Sequence, residues 1–112
     1  MVIDFTMELP LADVIPQERI PQRVLYTGAK MPAMGLGTFN NDRYSFEDIG
    51  RAVYGALRMG YRLIDCAAAY RNEKEIGEAL AKAQQDGISR ESMFITSKLW
   101  NDKHRPEDVI SA

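Results

Sequence analysis

The sequence predicts an α/β protein built on a parallel sheet, and three observations carry that prediction. From Gly35 onward, short apolar strand-like segments alternate with amphipathic helical segments, an order that gives parallel strands joined by right-handed crossovers. Each β/α repeat runs to roughly 30 residues, which fits either a doubly wound sheet or a (β/α)8 barrel. Finally, Asp65, Tyr70 and Lys98 fall at or just beyond the ends of two successive strand-like segments, where α/β folds keep their chemistry.

The elements follow in order. Residues 1–21 show no sustained period, and Pro10, Pro16 and Pro21 interrupt any regular element. They are expected to be an N-terminal extension, wrapped on a surface or partly disordered. RVLYTGAKMP predicts a hairpin turning at Gly28. GLGTF, residues 35–39, predicts a buried strand leaving through a Gly-Thr turn.

Ser45 then opens a helix as N-cap, with Asp48 three residues on. Phe46, Ile49, Val53, Ala56 and Leu57 recur at steps of three and four, and Gly60 closes it. Residues 61–66 read as a second strand. Asn72 is expected to cap a second helix with Glu75 behind it. Ile76, Ala79, Leu80 and Ala83 would face inward, Glu78 and Lys82 would pair outside, and Gly87 would end it. Residues 93–98 give a third strand, and Pro106 starts a third helix.

Size and composition bound the function. With 112 residues the chain suffices for one domain with a core. A barrel needs about 250, so a barrel reading leaves this chain fewer than half its units. Charged residues make up 27% and apolar ones 46%, the balance of a soluble globular protein. The net charge of −2 offers no basic surface for nucleic acid or an anionic membrane. Cys66, the single cysteine, cannot form an internal disulfide and fits a reducing compartment. No apolar run approaches the roughly 20 residues of a membrane span, and Asp4, Glu8, Pro10 and Asp13 interrupt any signal-peptide core. The expected location is cytoplasmic.

Several residues could carry chemistry. A carboxylate at Asp65, ending a buried strand, needs a partner, and Lys98 at the end of the next strand is the obvious one. The pair can be read as a structural ion pair or as part of a site. Tyr70, expected at or just before a helix N-terminus, would have its phenolate favoured by the helix dipole and a nearby ammonium. That suits a general acid donating to a developing alkoxide; a half-buried packing tyrosine is the plainer reading. GLGT lacks the third glycine of a dinucleotide fingerprint and by itself predicts only a tight strand exit. His104 lies in the polar stretch NDKHRPED and reads as a solvated loop residue. One histidine and one cysteine make no metal constellation.

MPAMGLGTF, GYRLIDCAAAYRNEKEIGEAL and MFITSKLWN, in this order and spacing, resemble the aldo-keto reductase superfamily over residues 24–109. The D-x-A-x-x-Y-x-N-E core is the specific part. The resemblance implies a (β/α)8 TIM barrel, of which residues 22–112 would hold an N-terminal hairpin and about the first three β/α units. It implies NADPH, or NADH, as cofactor and a small-molecule aldehyde or ketone as substrate, reduced to an alcohol.

By resemblance, Tyr70 is the proton donor, Lys98 the residue that tunes it, and Asp65 the carboxylate that orients the lysine. Gly37, Thr38 and Asp65 fall where the family approaches the nicotinamide half of the cofactor, and Phe39 and Trp100 where it lines the substrate pocket. Cys66 stands where the family commonly has threonine. The family's catalytic histidine would lie on a following strand beyond Ala112, a position that His104 does not match. The rival expectation is a non-catalytic nicotinamide-binding or structural member of the family, or an inactive fragment.

Overall fold

The computed structural model describes residues 3–6 and 14–112. The expectations for residues 1–2 and 7–13, including the break at Pro10, lie outside them. The predicted hairpin forms from β1 (Gln22–Val24) and β2 (Lys30–Pro32), paired antiparallel with Val24 opposite Lys30. Its turn closes through Leu25 N–H to Ala29 O at 2.8 Å and Gly28 N–H to Leu25 O at 2.8 Å, with Gly28 at φ +89°. That left-handed backbone is costly for a residue bearing Cβ.

Three β/α units follow: β3 (Gly35–Gly37), α1 (Phe46–Met59), β4 (Leu63–Asp65), α2 (Glu73–Gln85), β5 (Phe94–Thr96) and α3 (Pro106–Val109). The strands form one parallel sheet in the order β3-β4-β5. Central β4 is the best covered, with Ile64 fully buried. The expectation of a buried β3 is corrected: Gly35 and Gly37 are exposed and Leu36 only partly covered, because among the described residues β3 pairs on one side only, with β4, and its two glycines bring no side chain to pack.

The helix boundaries follow from local chemistry. Ser45 and Asp48 form a reciprocal capping box, Asp48 N–H donating to Ser45 Oγ at 3.1 Å and Ser45 N–H to Asp48 Oδ2 at 3.2 Å. Such a cap stabilises a helix by about 1 kcal/mol. Gly60 ends α1 at φ +121°, and a methyl there would also meet Ile15 O at 2.6 Å. At the end of α2, Gly87 N–H bonds Gln84 O. Pro106 holds the first turn of α3.

The core lies between the two long helices and the sheet: Val53, Tyr54 and Leu57 of α1, Ile76, Ala79 and Ala83 of α2, with Ile64, Cys66 and Met93. Each large apolar side chain buried here contributes about 1.5–3 kcal/mol. Tyr54, off the predicted stripe, is 2% exposed. It stays satisfied because its hydroxyl donates to Asp86 and accepts from Arg58 Nη1 at 3.2 Å. Phe46, assigned to the inner face, is 40% exposed; it is the first residue of α1 and overhangs the core. Lys82 pairs with Asp86 at 3.2 Å, not with Glu78 as expected, because Asp86 is already held at that point by Tyr54.

The described parts of the extension lie against α1. Ile3 is buried at Gly50, Phe5 meets the Tyr54 ring edge-on at 5.1 Å, and Ile15 N–H bonds Met59 O. No helix among the described residues is long and apolar enough to cross a membrane.

Candidate active site

The sheet register builds the site. Gly37 pairs with Asp65, and Asp65 with Thr96, so the three strand ends lie side by side. Registered neighbours in a parallel sheet project to the same face, and the Thr96 hydroxyl accordingly donates to Asp65 Oδ1. Lys98, two residues on, shares that face. Its ammonium lies 3.0 and 2.9 Å from the two carboxylate oxygens of Asp65, 3.0 Å from Cys66 O and 3.4 Å from Tyr70 Oη. Three donors on an ammonium are thus divided among a carboxylate, a carbonyl and a phenol.

The electrostatics follow from those contacts. The Thr96 hydroxyl and the Lys98 ammonium hold the Asp65 carboxyl below its ordinary value. The Asp65 carboxylate, with a smaller contribution from the Tyr70 oxygen, raises Lys98 above its own. Both groups are charged at neutral pH. Their side chains remain 45% and 51% exposed, so Asp65 is not buried as expected, and a pair this open adds little stability.

Tyr70 ends a 3-10 turn over Ala68–Tyr70 rather than leading directly into α2; Arg71 and Asn72 intervene. The small side chains of Ala67, Ala68 and Ala69 let this turn lie close over the strand ends, with Ala68 N–H bonded to Lys98 O at 3.2 Å. Phe39 meets Tyr70 edge-on, ring centroids 5.4 Å apart, and Lys98 Nζ lies 5.2 Å from the Tyr70 centroid. Asp65, Tyr70, Lys98 and Phe39 are therefore brought together. Trp100 lines a depression of about 680 Å³ together with Lys98, Arg71, Glu73 and Lys103.

Gly37 leaves open space where a Cβ would stand. Thr38 is 1% exposed, and its hydroxyl and N–H both donate to Asp65 O, at 2.8 and 3.2 Å. Burial pushes the Cys66 thiol up, leaving it a neutral packing group. His104 is an exposed loop residue. No group of three metal-ligating side chains occurs among the described residues.

Two residues of the site were missed by sequence reasoning. Thr96 was legible only through register, as the partner of Asp65 one strand away. Asn72, expected to cap α2, stands at the cap position but makes no cap bond; its side chain is buried and its Nδ2 donates to Thr38 O at 2.8 Å, 34 residues away.

An α/β protein that gathers ionisable side chains at the ends of parallel strands is the class that the fold and site define. The Aldo/keto reductase family model matches residues 33–112, and the chain belongs to that family. Among its relatives, aldo-keto reductase family 1 member A1 of Bos taurus is 53% identical over 91 residues, covering 80% of this chain and 27% of that protein. The Xenopus tropicalis counterpart is 49% identical over 95 residues, 83% of this chain and 28% of that protein. The solved Bombyx mori aldo-keto reductase in complex with NADP matches at 38% identity and a TM-score of 0.77, over 82% of this chain and 31% of that one. The chain spans just over a quarter of the length of the curated relatives it matches. Its three β/α units correspond to an N-terminal portion of the family's barrel.

Proposed function

We propose that residues 22–112 form the N-terminal portion of one barrel domain of a cytoplasmic NADPH-dependent aldo-keto reductase, with residues 1–21 as an extension and NADH as the possible alternative cofactor. The observation that carries the proposal is the Lys98 ammonium, held within 3.0 Å of both Asp65 carboxylate oxygens while 3.4 Å from Tyr70 Oη. A half-exposed ion pair supplies little stability, so its directed contact with a phenol points to chemistry.

The residues present fit a nicotinamide. Gly37 opens a face without a side chain next to Asp65, and Asp65 would edge the cofactor there. Thr38, buried with its donors engaged, would shape this wall from behind. Bound and reduced, the nicotinamide supplies a hydride to the carbonyl carbon. Tyr70 Oη–H donates its proton to the carbonyl oxygen as negative charge develops on it. Lys98 offsets the charge left on the phenolic oxygen, and Asp65 with Thr96 fixes where that ammonium stands. Phe39 would pack beside a small aldehyde or ketone at Tyr70, with Trp100 further out.

The test is NADPH oxidation by a panel of simple aldehydes, with this chain carried in a complete barrel. Turnover above background supports the enzyme. Tight NADPH binding with no turnover across the panel favours a non-catalytic member of the family, and neither binding nor turnover overturns both readings.

A further inference from the structure

We infer that Asn72 is a positioning residue that staples the Tyr70 loop shut on Thr38, an inference that rests on the proposed role of Tyr70. The loop of residues 66–71 begins after Asp65 and ends before Asn72. Both flanking residues bond the same partner. At one end, Thr38 Oγ1 and N–H donate to Asp65 O at 2.8 and 3.2 Å. At the other, Asn72 Nδ2 donates to Thr38 O at 2.8 Å. Every polar group of Thr38 is thereby spent on the two ends of one loop, and Thr38 and Asn72 are both buried, at 1% and 0% exposure.

The loop needs such a closure. Arg71 sits in the left-handed region at φ +58°, a conformation that costs a non-glycine residue on the order of 1 kcal/mol or more and persists only when its surroundings enforce it. Phe39, the neighbour of Thr38, is the residue whose ring meets Tyr70. The staple therefore sets the Phe39–Tyr70 contact and, through it, where the phenol stands over Lys98. Among the described residues Asn72 Oδ1 has no hydrogen-bond partner, so the Nδ2 bond is the one polar contact of this buried carboxamide. At the N-cap position of α2 the side chain makes no cap bond, which leaves its amide to Thr38.

Asn72→Asp tests the staple, because it keeps the shape but replaces the donor with an oxygen facing the Thr38 carbonyl. Two readouts are taken by NMR on the 112-residue chain: the cross-relaxation between the Phe39 and Tyr70 rings, and the Lys98 titration, which reports the Asp65 contact. The expected result is loss of the ring contact with the helical circular dichroism and the raised Lys98 titration kept. In a complete barrel, kcat then falls by up to about 100-fold with the KM for the carbonyl little changed.

A ring contact that survives the substitution overturns the inference. If Asn72→Asp unfolds the chain, Asn72→Ala, which removes the donor without adding charge, is read by the same criteria. Unfolding in both variants assigns Asn72 to general stability and equally overturns the inference. A Tyr70→Phe barrel that stays fully active defeats the proposed chemistry instead, and leaves the ring contact of the staple to stand or fall separately.

Discussion

Between α1 and α2 the protein buries Val53, Leu57, Ala79 and Ala83 to zero exposure, whereas at the ends of β4 and β5 it leaves Asp65 and Lys98 about half-exposed. The helix layer is held by apolar area and close packing, which are non-directional and strong in sum. The strand ends are held by directed bonds, several of them to backbone carbonyls, on strands only three residues long. Stability and chemistry are thus carried by different regions, and a substitution in one should leave the other's readout nearly untouched.

The helix layer should respond most strongly to a single substitution. Leu57→Ala should cost about 2–5 kcal/mol, seen as a lower denaturation midpoint, because Leu57 is fully buried in the α1 face of the core. A loss well under 1 kcal/mol would show that the layer is looser than its burial implies.

A smaller effect is expected at the Tyr54–Asp86 contact of that layer. Tyr54→Phe removes the hydroxyl that donates to Asp86 and accepts from Arg58, while the ring keeps its place against Phe5. The expected loss is on the order of 1 kcal/mol, the net worth of a hydrogen bond. Chemical denaturation of the pair of variants, Leu57→Ala and Tyr54→Phe, ranks apolar burial against that contact directly.

The smallest effect belongs to the strand ends. Asp65, held below its ordinary pKa of 3.8 by Thr96 and Lys98, contributes stability above that value and loses it as the pH falls through its folded pKa. Lys98, raised above 10.5 by Asp65, contributes below 10.5 and loses it only as the pH climbs through its own folded pKa. The pair is therefore constant across the neutral range. The melting temperature of wild type should exceed that of Asp65→Asn only slightly at pH 7, and the gap should close under acid. A large gap at pH 7 would make the pair a structural ion pair, the plainer of its two readings.

Much of this division was legible in the sequence, and for a physical reason. Caps and turns are local signals, so Ser45, Gly60, Gly87 and Pro106 marked the helix limits, and the step of three and four residues located Val53, Leu57 and Ile76. Asp65, Tyr70 and Lys98 were legible as strand-end groups before any geometry. What stayed hidden depends on partners distant in sequence. Tyr54 is buried because Asp86, 32 residues away, takes its hydroxyl. Asn72 has the residue type and position of a cap, yet its amide serves Thr38. Thr96 has no local signal, since only the register of β4 on β5 brings it to Asp65.

If Tyr70, Lys98 and Asp65 act as one proton-delivering unit, a double-mutant cycle will reveal it. With this chain carried in a complete barrel, Tyr70→Phe removes the proton but keeps the ring, and should lower carbonyl reduction by roughly 10²–10⁴-fold with cofactor affinity little changed. Lys98→Met removes the ammonium beside the phenol and leaves Asp65 without its cation, and should do comparable damage. Combining them should cost little more than either alone, because groups acting as a unit are not additive. Penalties that multiply, or a Tyr70→Phe enzyme keeping more than about a third of its activity, would show that the three residues do not act as one unit.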